Sequence, residues 1–212
     1  MSNISVIIRN KNEERYIGYA IQSVLDNFNE PEIIVVDNNS TDNSMGIVNT
    51  FDFENIKTYQ IDSYTPGKSL NYGVTKCSND YILVLSAHSQ IMSCDFEKIK
   101  TLLDKWCVVA GKQIPIWNGK KISRRYIWSN FFDNDVENYF SEEENRYFLH
   151  NAFAFYKRDI LLEHPFDETL SGKEDRYWIN KMIKNEYKSY YNSSSICHHH
   201  YTANGATWKG IG

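Results

Sequence analysis

Apolar positions in the first half of the chain switch repeatedly between short continuous runs and helical spacing. Ser5–Arg9 (SVIIR) is a nearly unbroken apolar run, the pattern of a strand covered on both faces. Over Arg15–Asp26 the period changes, and Tyr16, Ile17, Ala20, Ile21, Val24 and Leu25 fall on one face of a helix. Glu32–Asp37 (EIIVVD) is a second strand, followed by a helix from near Asp42, a strand over Ile56–Ile61 and a short helix over Ser69–Thr75. Tyr81–Ser86 (YILVLS) is a fourth strand. Strands and helices alternating over connections this short predict right-handed βαβ units and a parallel sheet.

The pattern then breaks. Trp117–Arg146 is polar and aromatic without a clean period, which predicts a mixed insertion of loop and helix. Asn151–Tyr156 predicts a strand, and Glu174–Tyr187 a helix with Trp178, Ile179, Met182 and Ile183 on one face. A last strand, Ser193–Cys197, runs into His198, His199 and His200, and the chain ends in NGATWKGIG. No internal repeat, low-complexity tract or linker interrupts this order.

Composition narrows the class. With 212 residues, 42% of them hydrophobic, the chain can bury a sizeable core. A net charge of −4 argues against a general nucleic-acid binder. The one basic cluster, Lys120, Lys121, Arg124 and Arg125, is either a solvated loop or a contact to a phosphate or an anionic membrane surface. Fifteen tyrosines and five tryptophans exceed what a core needs; sugar-binding clefts use such rings, and packing accounts for them equally well. Cys77, Cys94, Cys107 and Cys197 form no CxxC pair and read as free thiols of a reducing compartment. The N-terminus has no signal-peptide pattern, and the longest apolar runs, Ile33–Val36 and Tyr81–Leu85, are too short to span a bilayer. The expected location is cytoplasmic.

In open parallel sheets, ligands bind at the carboxyl ends of the strands. That rule selects Asn10–Glu14, Asp37–Asp42 and Ser86–Gln90, all unusually polar. In VVDNNSTDNS a carboxylate ends a strand and Ser, Thr or Asp caps the next helix; such a carboxylate can accept from ribose hydroxyls or a base N–H, or serve the cap alone. Gly67-Lys68-Ser69 looks like the end of a phosphate-binding Walker A loop, but Asp62 stands where that motif needs glycine, and no GxGxxG occurs. Phosphate charge must therefore meet a metal or Lys and Arg side chains. His88, His198, His199 and His200 are metal candidates, and imidazole suits Mn²⁺ better than Mg²⁺; surface-turn histidines are the plainer alternative. Glu174-Asp175, just after Gly172 at a helix start, is an acid/base candidate or an ordinary first-turn acidic pair.

Taken in order, SVIIRNKNEERYIGYAIQSVL, VVDNNSTDNS, PGKSLNYG, His150-Asn151, PFDETLSGKEDRYW and the histidine-rich strand end resemble the family 2 glycosyltransferases of the GT-A fold. The likeness covers nearly the whole chain. It implies a single α/β, Rossmann-like domain with a mainly parallel central sheet flanked by helices. Residues 1 to about 90 would form the nucleotide-binding half, and about 91–212 the acceptor and catalytic half. The implied activity is inverting sugar transfer from a nucleotide-sugar donor to a glycan or lipid-linked glycan acceptor. Its implied setting is bacterial surface polysaccharide synthesis, in the cytoplasm or peripherally at the inner membrane face.

By the same resemblance, Asp37 and Asn38 lie beside the base and ribose, with Asn12, Glu13 and the backbone near Arg9 closing the pocket and Lys68, Asn71 and Ser86 also on the nucleotide. Asp175 matches the catalytic base, with Glu174 next to it. Gln113, His150, Asn151 and Trp178 match sugar or acceptor contacts. Ser86-Ala87-His88 stands where the family normally has Asp-x-Asp, which implies His88 as a ligand of a divalent cation, Mn²⁺ before Mg²⁺. His198, which keeps the alternation of Ile196, is the expected second ligand, with His200 next; cations such as Lys68 are the alternative. Asn38 stands where many relatives carry a uracil-reading aspartate, leaving dTDP-, GDP- and CMP-linked sugars open beside UDP. Two other readings keep the same architecture: a sugar nucleotidyltransferase, disfavoured because the loop after the first strand is NKNEER rather than glycine-rich and basic, and a non-catalytic nucleotide-sugar-binding module.

Overall fold

The computed structural model describes residues 3–122, 126–203 and 205. Its first part comprises β1 (Ile4–Asn10), α1 (Ile17–Asn27), β2 (Glu32–Asp37), α2 (Ser44–Val48), β3 (Ile56–Gln60), α3 (Pro66–Lys76) and β4 (Tyr81–Ser86). There follow β5 (Ser89–Ser93), α4 (Phe96–Leu103), β6 (Val108–Trp117), β7 (Lys120–Lys121) and a 3-10 turn at Tyr126–Asn130. The remainder is β8 (Val136–Glu137), β9 (Phe140–Ser141), β10 (Arg146–Tyr147), β11 (Phe153–Lys157), α5 (Arg158–Glu163), α6 (Glu174–Lys184) and β12 (Ser189–His200).

One ten-stranded sheet runs in the order β3-β2-β1-β4-β11-β6-β12-β5, with β7 and β8 at its margins. The first four strands are mutually parallel, as the βαβ pattern predicts. β11 is antiparallel to both β4 and β6, while β12 runs parallel to β6 and antiparallel to β5. Alternate residues of β1 feed two cores, because successive side chains point to opposite faces. Ile4, Val6 and Ile8 pack with the apolar stripe of α1, while Ile7 packs with Leu70 of α3 and Trp178, Ile179 and Met182 of α6. Arg9, two residues beyond Ile7, emerges at the α6 layer.

α3 starts earlier than expected, at Pro66, because Thr65 accepts from the Lys68 N–H as N-cap and proline suits the first turn. Gly67 lies against the Asp167 backbone so closely that a Cβ there would collide with its carbonyl. Gly67→Ala is expected to cost about 1–3 kcal/mol as an overpacking change, read as a lower urea midpoint.

The segment Trp117–Arg146 holds short strands and a 3-10 turn, and no α-helix among its described residues. Its aromatic side chains form their own small cluster around Ile127, Trp128 and Phe148, so the chain is fixed without a helical stripe. Arg124 and Arg125 of the basic cluster, and nearly all of the terminal NGATWKGIG, lie outside the described residues. β5, α4, β6 and α5 add to the elements the pattern predicts, and β12 reaches back to Ser189 and forward through all three histidines.

Candidate active site

The ends of β1, β2 and β4, the turn before β11 and the head of α6 enclose a cavity of about 570 Å³. Arg9, Asn10, Lys11 and Glu13 form one wall, with Asn38, Tyr64 and Pro66 beside them. Ser86, Ala87 and His88 form the floor's centre, and His150, Asn151, Ala152 and Ser171–Arg176 the far side.

On the β2 side, Asp37 is buried and already satisfied. Its Oδ1 accepts from Asn10 Nδ2 at 2.8 Å and Ser40 Oγ at 2.6 Å, and its Oδ2 accepts from the Ser40 N–H at 2.9 Å. The carboxylate thus ties the turn after β2, and the next residue, Asn38, faces the cavity. Asn12 has φ 52° and its Oδ1 accepts from the Thr41 N–H at 2.7 Å, locking the two loops together. Like Asp37 and Asn12, four more residues expected at the ligand do not line the cavity. Asn71 brackets Phe166, donating to its carbonyl at 2.9 Å and accepting from its N–H at 3.0 Å. Lys68 sits outside the cavity wall, on Ser63. Trp178 is 2% exposed in the core, its Nε1 donating to the His164 carbonyl at 2.7 Å. Gln113 is buried behind the histidines.

Those histidines differ from the sequence expectation. On β12 it is Ser195, Cys197 and His199 that are buried, while Ile196, His198 and His200 take the other face. Burial alternates without a break from Ser195 to His200, so His198 does share the face of Ile196, but that face is not the one turned to His88. His199, not His198, therefore meets His88, with the two Nε2 atoms 3.0 Å apart. His200 stacks on Tyr16 at 4.9 Å and His198 lies edge-on to His200.

The partners of this pair set its chemistry. Gln113 donates through Nε2 to the His150 carbonyl at 3.4 Å, which turns its Oε1 to accept from His199 Nδ1 at 2.8 Å. Glu13 Oε1 lies 3.2 Å from His88 Nδ1 and also accepts from Thr202 Oγ1. His199 thus carries its proton on Nδ1 and turns its Nε2 lone pair toward His88 Nε2, where a proton or a cation can sit between the two rings. Burial holds His199 well below the ordinary histidine pKa, helped by the neighbouring imidazoles, so it stays neutral. Two imidazole nitrogens brought together, with the His199 ring oriented from behind by the Gln113 amide, fit a first-row divalent cation. Among the described residues no third His, Cys, Asp or Glu completes the set, so further ligands would have to be substrate oxygens or water.

At the far wall, Lys173 takes a left-handed φ of 66° and starts α6. Glu174 and Asp175 follow in its first turn. Asp175 is buried, its Oδ2 accepting from the Asn151 N–H at 3.2 Å and its Oδ1 from the Arg176 N–H at 2.7 Å. Burial raises its pKa above the ordinary 3.8, opposed by the charge of Arg146, those N–H groups and Arg176. Glu174 pairs with Arg9 at 3.1 Å. Buried His150 is pushed down to about 3, chiefly by desolvation and then by the charge of Arg146, and is neutral at any working pH.

Against this geometry, comparison with known proteins is decisive at the level of family. The sequence model for glycosyl transferase family 2 matches residues 5–164. The chain belongs to that family. Among curated proteins this glycosyltransferase domain is 25% identical over 189 residues to the GalNAc(5)-diNAcBac-PP-undecaprenol beta-1,3-glucosyltransferase of Campylobacter jejuni, covering 85% of this chain and 60% of the relative. It is also 25% identical over 201 residues to the minor teichoic acid biosynthesis protein GgaA of Bacillus subtilis, covering 86% of this chain and 43% of that one. The chain thus spans about half the length of these relatives.

Solved structures agree on the fold. S. aureus TarS 1–349 in complex with UDP-GlcNAc superposes with a TM-score of 0.73 at 22% identity, over 98% of this chain and 61% of that one. Mannosyltransferase PcManGT from Pyrobaculum calidifontis, in complex with GDP-Man and Mn²⁺, gives 0.72 at 17% identity, over 96% and 58%. The domain is a single GT-A α/β unit, and glycosyltransferases of this fold generally use a divalent cation.

Several wall residues of the family 2 domain escaped the sequence argument. Tyr64 and Lys173 line the cavity from loops whose side-chain directions no period reveals, Arg176 does so from the first turn of α6, and Lys11 lies within the strand-end segment Asn10–Glu14 without standing out there. His199 was within reach: Cys197 is a small apolar residue of a type usually buried, and alternation from it selects His199.

Proposed function

We propose that this domain transfers a sugar from a nucleotide-sugar donor to an acceptor hydroxyl with inversion at the anomeric carbon. The observation that carries the proposal is Asp175, a buried carboxylate held by two N–H groups and facing the cavity shared with Asn38 and His88. In the transfer, the acceptor oxygen forms a bond to the anomeric carbon as the bond from that carbon to the phosphate oxygen breaks. The acceptor proton passes to Asp175, and the electron pair of the broken bond leaves on the nucleoside diphosphate. His150 and Asn151 bound the sugar side, and Asn38, Asn10 and Glu13 the nucleoside side.

A divalent cation would be held by His88 and His199, with Mn²⁺ preferred over Mg²⁺ by the imidazole donors. When bound it supplies positive charge to the departing phosphate. A carboxamide at Asn38 both donates and accepts, which leaves the donor base open. Membership of a family whose relatives build lipid-linked and teichoic-acid glycans favours a lipid-linked or surface glycan acceptor, met at the cytoplasmic face of a membrane. No helix among the described residues is long and apolar enough to cross that membrane.

Calorimetric titration of UDP, CMP, GDP and dTDP, with and without Mn²⁺, tests this on the wild type, His88→Ala and His199→Ala. The expected result is one nucleotide whose affinity rises with Mn²⁺, and loss of that rise in both variants. Metal-independent binding, unchanged by either substitution, would remove the cation site. Binding without sugar transfer to any acceptor extract would favour a non-catalytic module.

A further inference from the structure

Arg9 is the best-placed cation in the cavity and the transfer chemistry above gives its side chain no task. It leaves the end of β1, in register with Val36 of β2 and Ser86 of β4. The sheet order β2-β1-β4-β11 therefore sets Asn38, Arg9, Ser86 and Asn151 in a row along the strand ends. Asn38 begins the row and Asp175, bonded to the Asn151 N–H, closes it. A nucleotide sugar laid along that row, nucleoside at Asn38 and sugar at Asp175, carries its two phosphates over Arg9 and Ser86.

The side chain is built for such a contact. Its exposure is 17%, and among the described residues Glu174 is its single hydrogen-bond partner, through Nη1 at 3.1 Å. A guanidinium has five N–H donors in a rigid fork. Arg9 lines the cavity, and none of the remaining nitrogens of its fork is both sealed in protein and without a partner. Burial opposes its charge, but Tyr64, Glu174 and Asp175 outweigh that and keep it cationic. The other cations are committed or peripheral: Lys11 Nζ donates to the Asn38 carbonyl at 2.8 Å, Arg176 pairs with Glu144 at 3.4 Å, and Lys173 stands exposed at the rim.

We propose that the Arg9 guanidinium binds the donor's diphosphate and stabilises the charge that develops on it as the glycosidic phosphate bond breaks, with Glu174 as the positioning residue that aims it. This rests on the sugar-transfer proposal above. Glu174 then orients a catalytic cation and is not a second base. The electron pair released from the anomeric carbon ends on the phosphate oxygen next to Arg9, and the proton still goes to Asp175. A floor without the usual Asp-x-Asp carboxylates also leaves nothing at Ser86 to compete with the diphosphate for Arg9.

The test compares nucleoside diphosphate with the monophosphate of the same base (UDP/UMP, GDP/GMP, CDP/CMP, dTDP/dTMP), titrated with EDTA and with Mn²⁺. For the base that the wild type binds, Arg9→Gln is expected to lose about tenfold or more of the preference for the diphosphate, a charge-assisted hydrogen bond's worth, with monophosphate affinity nearly kept. Arg9→Lys should recover part of it, and Glu174→Gln should weaken it less. Arg9→Gln leaves Glu174 buried without its cation, so Arg9→Gln/Glu174→Gln, which retains a neutral hydrogen bond, guards against unfolding; its thermal transition reports the fold. An unchanged diphosphate preference in the folded double variant overturns the role of Arg9 alone. A wild type that binds no nucleotide, with or without Mn²⁺, overturns it together with the transfer proposal.

Discussion

Asp175→Asn is expected to lower kcat for sugar transfer by about 10²–10⁴-fold, the usual contribution of a positioned general base, while donor affinity in calorimetry stays at the wild-type level. The two effects separate because Asp175 stands at the far end of the cavity from Asn38 and because a base acts only as the acceptor proton moves. The pH profile carries a second signature. Burial holds the Asp175 carboxyl above its ordinary 3.8, and only its ionised form accepts a proton. Wild-type kcat/KM should therefore climb with pH through an apparent pKa above 3.8 and level off, and the residual rate of Asp175→Asn should lack that limb. Nucleotide binding lost in step with turnover would instead make Asp175 a structural residue.

Much of the nucleotide-binding part was legible because its strands are covered on both faces. A doubly covered strand is apolar at nearly every position, and β1, β2 and β4 announce themselves as nearly unbroken runs ending in Asn10, Asp37 and Ser86. The strand-end rule then points to the loops that line the cavity. The same logic failed where burial came from a different source. β6 and β12 carry Lys112, Gln113, Asn192 and Ser195 inside a paired sheet, where hydrogen bonds to neighbouring side chains and backbone replace apolar contacts. No hydrophobic period can show that. The histidine strand shows the cost: Ile196, His198 and His200 share its half-exposed face and Cys197 and His199 its buried one, so counting from the apolar Ile196 picks the wrong face, and His199, not His198, reaches His88. Asp37 and Asn71 illustrate another limit, since a polar residue at a strand end or helix face satisfies its neighbours as readily as a ligand.

Arg146→Ala is expected to destabilise the domain by about 3–5 kcal/mol, the cost of removing one member of a buried ion pair, read from the urea midpoint. Arg146 lies at the start of β10 and donates through Nε at 2.9 Å and Nη2 at 2.7 Å to Glu144 Oε2, with side-chain exposures of 9% and 3%. Its Nη1 donates to the Tyr147 carbonyl and its fork lies 5.2 Å from the Phe148 ring centroid. Without it, Glu144 keeps Asn130 and the longer pairing with Arg176. That is too little to hold a buried carboxylate. The same substitution should also move the acid limb of kcat/KM to higher pH, because Arg146 is the largest charge pulling the Asp175 carboxyl down against burial. The two consequences come apart in Arg146→Met/Glu144→Met. Removing both charges at similar volume should return most of the stability, yet leave the limb displaced, since the cation facing Asp175 is still missing. A limb that returns to its wild-type position in that double variant would mean the shift follows loosened packing of α6 and not the lost charge.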